Sequence, residues 1–297
     1  MDKLYNENLF GLFLQYFEIS EIKKLIKKDK YVFNFIIKNK WCVSNLDSKT
    51  THWVKFGFKN IKKLDISCSY IQQIPKELVN LRRLYCLNTK IKYIPKEFIN
   101  LKYLDCSYTE VKIIPKELIN LECLICKVSD VESIPKELVN LRKLNFSYTK
   151  INVIPKELVN LEVLVCYLTK TKVIPKELVN LKVLNCFCCI EMEEIPKELV
   201  NLRELVCSST NINKIPKELV NLKSLNCFDT KIKVIPKELI NLKKLICNCT
   251  DVNYIPKELI NLRELKCHET KIKEIPKELV NLKYLDCSKT EIKEIRL

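Results

Sequence analysis

The sequence predicts an α/β repeat solenoid, a curved array of short parallel strands with an irregular or 3₁₀ convex side and a small N-terminal helical module. Three observations carry this. The stretch Ile74-Pro75-Lys76-Glu77-Leu78-Val79-Asn80-Leu81 returns nearly letter for letter until Ile275-Pro276-Lys277-Glu278-Leu279-Val280-Asn281-Leu282. Its Ile-Pro pairs advance by 20 residues, with one step of 21, and all 11 prolines of the chain occupy this one position. Only two glycines occur, Gly11 and Gly57, and neither lies in a phosphate-cradling loop or a nucleophile elbow. A fixed period in this range marks a solenoid, in which each unit contacts only its neighbours.

Counted from the leucine that follows asparagine, one unit reads Leu81-x-x-Leu84-x-Cys86-x-x-Thr89-x-Ile91-x-x-Ile94-Pro95-Lys96-Glu97-Phe98-Ile99-Asn100. Twelve such units begin at Ile61, Leu81, Leu101, Leu121, Leu141, Leu161, Leu181, Leu202, Leu222, Leu242, Leu262 and Leu282, so residues 61–297 form one array. Alternation at Leu84-x-Cys86 predicts a short strand with both side chains inward. Proline cannot donate to a ladder, so Ile94-Pro95 ends the strand path and begins the return. Residues 96–99 are expected as a tight turn or a short 3₁₀ piece, with Lys96 and Glu97 reaching water. Leu81, Leu84, Cys86, Ile91, Ile94 and Phe98 make the apolar layer of the coil. Parallel strands stack ~4.8 Å apart, so eleven steps give an inner face on the order of 50 Å long.

This unit resembles the leucine-rich repeat, L-x-x-L-x-L-x-x-N-x-L-x-x-I-P, over the whole of residues 61–297. The resemblance implies a curved binding array. Two columns differ from the family pattern. Position 9, where the family's asparagine bonds the backbone of adjacent coils, carries Ser69, Thr89, Thr109, Ser129, Thr149, Thr169, Thr210, Thr230, Thr250, Thr270 and Thr290. A shorter hydroxyl ladder is expected to meet part of that need. Position 6 is cysteine in ten units, with Ile66 and Phe146 in the same slot. A slot that accepts Ile or Phe is an apolar core slot, and free cysteine packs as a small hydrophobe. A metal-binding thiolate column would instead need converging sulfurs.

The one 21-residue unit, Leu181 to Asn201, lacks the position-9 hydroxyl and is expected to bulge at the strand exit. Cys188, Cys189 and Cys249 are expected near the surface, with no base or second ligand beside them in sequence.

Residues 1–60 carry no repeat. Leu9, Leu12, Phe13, Tyr16 and Phe17 fall at helical spacing, as do Ile22, Leu25 and Ile26 after a plausible start at Ser20-Glu21. With Leu4-Tyr5-Asn6-Glu7-Asn8-Leu9 and Glu21-Ile22, these positions resemble an F-box, which opens on a Leu-Pro-x-Glu-(Ile/Leu) helix. The resemblance implies that Leu9, Leu12, Phe13 and Phe17 contact a Skp-type adaptor of a cullin–RING ubiquitin ligase. The alternative is an amphipathic cap over the first repeat, which solenoids require in any case.

The net charge is +16. Much of the excess sits at position 2, in Lys62, Arg82, Lys102, Arg142, Lys182, Arg203, Lys223, Lys243, Arg263 and Lys283, with Glu122 and Glu162 interrupting. Such a stripe can meet a phosphate backbone. No base-stacking residues are interleaved with it, so a solvated face is expected and nucleic acid is not the expected partner. The apolar run Leu9-Phe10-Gly11-Leu12-Phe13-Leu14 is too short to span a bilayer. No signal peptide is recognisable, so the 16 cysteines are expected as reduced thiols in a cytoplasmic setting. Lys-, Ile- and Asn-heavy, glycine-poor usage points to an AT-rich genome such as that of an amoebal organism or a large virus of one.

Function is expected at positions 3, 5, 7 and 8, which vary while the rest repeats. Mid-array these turn apolar, and Tyr148, Val165, Tyr167, Leu168, Phe187 and Phe228 are the candidate contacts for a protein target on the concave face. Asp65, Asp105, Ser107, Asp286 and Ser288 make a polar rim. His52 and His268 are the only histidines, and no nucleophile–base pair, cofactor motif or metal-ligand spacing is present in the sequence.

Overall fold

A computed structural model describes residues 62–68 and 71–293. The helical module expected over residues 1–60, with the adaptor contacts Leu9, Leu12, Phe13 and Phe17, lies outside the described residues. Twelve three-residue strands follow one another: β1 Lys63–Asp65, β2 Arg83–Tyr85, β3 Tyr103–Asp105, β4 Cys123–Ile125, β5 Lys143–Asn145, β6 Val163–Val165, β7 Val183–Asn185, β8 Glu204–Val206, β9 Ser224–Asn226, β10 Lys244–Ile246, β11 Glu264–Lys266 and β12 Tyr284–Asp286. They form one sheet in chain order, every pair parallel, with leucine facing leucine from Leu64↔Leu84 to Leu265↔Leu285. The described array is thus made of strands and turns alone, without a helix.

Each coil encloses a single apolar layer. Leucines 1 and 4, residues 6, 11 and 14, and the Leu or Phe at 18 are buried from coil to coil, with Phe98 and Phe146 the bulkiest. In the last described coil Leu282, Leu285, Cys287 and Ile292 are only partly covered. The return path is a pair of β-turns. Leu78 N–H donates to the Pro75 carbonyl at 3.2 Å and Leu81 N–H to that of Leu78 at 3.0 Å, and later coils repeat the pair. Proline suits the first position of this turn because only its carbonyl takes part, so its missing N–H costs nothing there.

The strand is shorter than the alternating pattern predicts. Positions 7 and 8 have left it, and position 8 takes a positive φ in all twelve coils, between 51° and 57°, from Cys68 to Lys289. No glycine occupies this left-handed position, so each coil holds a side chain in a conformation disfavoured by roughly 1–2 kcal/mol. The reversal folds position 9 back over its own strand. Thr89 Oγ1 donates to the Cys86 carbonyl at 2.7 Å, and the equivalent bond recurs through Thr290. The expected hydroxyl ladder between coils is therefore corrected. The hydroxyl serves its own coil, being too short to reach a neighbour ~4.8 Å away.

The ladder between coils is elsewhere. Asn100 Nδ2 donates to the Val79 carbonyl of the preceding coil at 3.0 Å, and the position-20 asparagines repeat this through Asn281. The second turn leaves the position-19 carbonyl outside the coil's own hydrogen bonds, and the asparagine amide of the next coil donates to it.

In the long unit the extra residue makes one further turn at Ile190-Glu191, after which Met192 re-enters the core slot. Asn211 Nδ2 of the next coil caps the Ile190 carbonyl. Cys189 is fully buried, which corrects its expected place near the surface. It fills the position-9 slot and bonds the Cys166 carbonyl of the preceding coil at 3.1 Å. Thr169, 3.5 Å from its sulfur, and Thr171 complete a small buried polar cluster.

Val128 is β-branched and sits at φ 51°, where such residues are most disfavoured. Val128→Asn is expected to stabilise the array by about 1 kcal/mol, because asparagine tolerates this region. A rise in the urea midpoint of the full chain checks it, and an unchanged or lower midpoint counts against strain at position 8.

Candidate functional site

Positions 5 and 7 of successive coils meet along the concave face. From coil 6 to coil 11 they line a groove of about 490 Å³, formed by Tyr167, Asn185, Phe187, Val206, Ser208, Asn226, Phe228, Ile246, Asn248 and Lys266. Three of the sequence-predicted contacts, Tyr167, Phe187 and Phe228, stand together here. Tyr148 lies outside the lining but packs edge-on against Tyr167, ring centroids 5.4 Å apart and nearly perpendicular at 84°. Val165 is half-buried in β6, in the coil where the groove begins, and is paired in register with the lining residue Asn185 without lining the groove itself. Leu168 is not brought to it. Like Tyr148, it occupies the left-handed position 8, where the chain turns away from the strand direction.

The aromatic residues are held by their neighbours two places back. Asn185 Oδ1 accepts the Phe187 N–H and Asn226 Oδ1 accepts the Phe228 N–H, each at 3.2 Å. Asn145 and Asp105 hold Ser147 and Ser107 in the same way. An Asx side chain that closes a turn on its own backbone fixes the direction of the residue after the strand. These asparagines were missing from the sequence-based candidates. The signal was present as Asn at position 5 and Phe at position 7 in coils 7 and 9. Lys266 bounds one end, its Nζ 3.6 Å from Glu264 and 5.2 Å from the Tyr284 ring centroid.

The charged stripe at position 2 is partly neutralised. Lys102 reaches Glu122 at 2.6 Å, and Glu162 pairs with Lys182 at 2.6 Å and Arg142 at 3.5 Å. The hydrogen bonds from Lys102 and Lys182 hold the Glu122 and Glu162 carboxyls below the usual carboxylate range. Arg203, Lys223, Lys243, Arg263 and Lys283 continue the stripe without an acid among them. The convex side is not only charged, as the sequence suggests. Its position-19 residues, Val79 through Ile260, are each roughly half exposed. Among the described residues no helix is long and apolar enough to cross a membrane.

The cysteine column is core. Burial pushes the Cys126 and Cys227 thiols up to about 12 and holds Cys106 well above its ordinary value, while the hydrogen bond with Cys189, and then burial, does the same to Cys166. Sealed in the core, these thiols are open to neither an ion nor a substrate. Cys188 and Cys249 are partly exposed. His268 does not pair with the inward Cys267, but stacking brings it beside Cys249 of the preceding coil and Glu269. No second ligand stands beside Cys249 in sequence, because these partners lie 19 and 20 residues away and only stacking brings them near.

Single-layer coils, a parallel sheet of three-residue strands and a concave groove define a solenoid binding array. The described residues have the leucine-rich-repeat fold. A leucine-rich-repeat protein of Leptospira interrogans superimposes with a TM-score of 0.72 at 28% identity, over 81% of this chain and 73% of that one. The functional domain of InlJ from Listeria monocytogenes, described as including a cysteine ladder, matches with a TM-score of 0.75 at 21% identity. That match covers 82% of this chain but 57% of InlJ. A plant peptide hormone receptor, RGFR1 in complex with RGF2, matches with a TM-score of 0.61 at 23% identity, over 80% and 47% of the two chains. No family model matches the sequence, and no curated protein does.

Thiol access follows from these placements. Among the described cysteines, alkylation of the native chain at neutral pH is expected to reach Cys68, Cys123, Cys188, Cys249 and Cys287 first. The column from Cys86 to Cys267 and Cys189 should react only on unfolding. Peptide mass mapping checks the order, and early labelling of Cys126 or Cys227 contradicts a closed core.

Proposed function

We propose that the chain is a binding module rather than a catalyst, and that its concave face takes an extended segment of a partner protein across coils 6 to 11. The observation that carries this is the groove itself. Tyr167, Phe187, Phe228, Val206 and Ile246 give it an apolar floor, and Asn185, Asn226 and Asn248 interleave amide groups. The Oδ1 atoms of Asn185 and Asn226 are committed to the backbone, which leaves their Nδ2 groups as donors toward a ligand. An extended peptide needs this mixture of pockets for alternate side chains and polar groups for its main chain. Lys266 at one end favours an acidic residue or a terminal carboxylate there. The likeness to a receptor in complex with a peptide hormone supports this use of the curved face.

Peptides selected from a random library against the full chain should compete for one site. The double substitution Tyr167→Ala with Phe187→Ala is expected to weaken them at least about 100-fold, since central aromatic anchors contribute most of such an interface. Tyr93→Ala, on the convex side, should leave affinity unchanged. Peptides that depend on Tyr93 and not on Tyr167 would place the binding face on the opposite side.

A more specific reading follows from the F-box-like segment. On it, the array delivers its captured protein to a cullin–RING ubiquitin ligase, with Leu9, Leu12, Phe13 and Phe17 gripping a Skp-type adaptor. The support is the sequence resemblance ahead of a leucine-rich array. Full-length chain should then bind purified Skp-type adaptor, and Leu9→Asp or Phe13→Asp should abolish it. Absence of binding by the unmodified chain removes the ligase role and leaves the binding module.

A further inference from the structure

Coils 10 and 11 bring three different metal-ligand types to one corner. Cys249 and Glu269 occupy position 8 of consecutive coils, at φ 55° and 56°, and His268 precedes Glu269. His268 Nε2 lies 3.2 Å from Glu269 Oε2, and Cys249 Sγ lies 3.9 Å from the same oxygen. All three ligand atoms fall within 4.8 Å of one another. A tetrahedral ion with bonds of ~2.0–2.3 Å separates its ligand atoms by ~3.3–3.8 Å. Two of the three separations already stand close to that range. The third, between Cys249 and His268, is no longer than 4.8 Å.

The imidazole is also oriented for coordination. His268 Nδ1 lies 3.1 Å from Ser288 Oγ, and Ser288 Oγ donates in turn to Asp286 Oδ1 at 2.8 Å. With its proton committed to Asp286, the Ser288 oxygen accepts from Nδ1–H. Nε2 faces Glu269, and a cation there would take the Nε2 lone pair in place of that contact. A carboxylate behind a ligating histidine is the usual outer support of a metal site, here relayed through one hydroxyl. Asn248 Oδ1 accepts the His268 N–H at 3.0 Å and ties the turn to coil 10.

Without a cation the corner is unfavourable to charge. Burial, and then the neighbouring Glu269 and Asp229 carboxylates, push the Cys249 thiol up, and its Sγ donates to Glu269. Lys289 Nζ lies 3.8 Å from Glu269.

We propose that Cys249, His268 and Glu269 bind one Zn²⁺, with water in the fourth position, and so clamp coil 10 to coil 11. The mixed sulfur, nitrogen and oxygen set suits zinc, whereas calcium and magnesium take oxygen alone. Binding converts the Cys249 thiol to a zinc thiolate and releases its proton to solvent. Because Asn248 lines the concave groove, the ion stiffens that end of it.

The test uses the full chain, reduced and stripped of metal, titrated with Zn²⁺ against a chromophoric chelator and with Co²⁺ as a spectroscopic probe. One Zn²⁺ per chain is expected, with a thiolate-to-cobalt charge-transfer band that Zn²⁺ bleaches. Cys249→Ser should abolish the band and Cys188→Ser should retain it. His268→Asn and Glu269→Gln should each weaken Zn²⁺ at least about tenfold, and Ser288→Ala about tenfold through the lost outer support. Far-ultraviolet circular dichroism confirms that each variant folds. Absence of stoichiometric Zn²⁺, or a band that survives Cys249→Ser, overturns the assignment.

Discussion

Each coil must return the chain to its starting point displaced by one strand spacing, and two backbone devices accomplish this in every unit. One is the left-handed residue at position 8, which reverses the chain after the strand. The other is the pair of turns that begins at proline. Neither uses glycine. The cost of the left-handed position, roughly 1–2 kcal/mol for each non-glycine residue, is offset by the backbone ladder to both neighbours and by a fully buried leucine layer. The position-9 hydroxyl and the position-20 amide then satisfy the carbonyls that these reversals leave open.

Strict register has a consequence for chemistry. Residues 19 to 21 apart become neighbours, so each position of the repeat is a column and each column a surface. Position 2 becomes a line of alternating ion pairs in coils 3 to 7 and a cationic line after them. Positions 5 and 7 become the groove. Position 8 stacks Cys249 on Glu269, with His268 beside them. Near-identity of the scaffold makes such columns possible, because one residue gained would shift everything beyond it. The chain tolerates one such residue at Ile190-Glu191 by adding a turn outside the core and returning Met192 to its slot.

Most of the fold is legible in the sequence. Leu84, Cys86, Ile91 and Ile94 mark one coil, and the substitution of Ile66 and Phe146 in the cysteine slot identifies it as core. What escapes reading does so for physical reasons. Nothing in Tyr148, Val128 or Leu168 signals a left-handed backbone, because the conformation is imposed by closure of the coil and not by the residue. Asn100 reads as an ordinary turn residue until a second coil supplies the Val79 carbonyl. Cys189 looks exposed because sequence does not tell on which side of it the extra residue falls. In the groove, the aromatic anchors Tyr167, Phe187 and Phe228 are legible, but the asparagines that aim them act through local turns. Cys249 and His268 are brought together only by stacking.

Hydrogen exchange on the full chain, alone and with a library-selected peptide bound, gives the most direct measurement of where a partner sits. Occupation of the concave groove should slow exchange at the turn amides just after β6 to β11, including those of Phe187 and Phe228, and leave the turns after each proline unchanged. Slowing confined to the proline turns on the convex side would contradict a concave binding face.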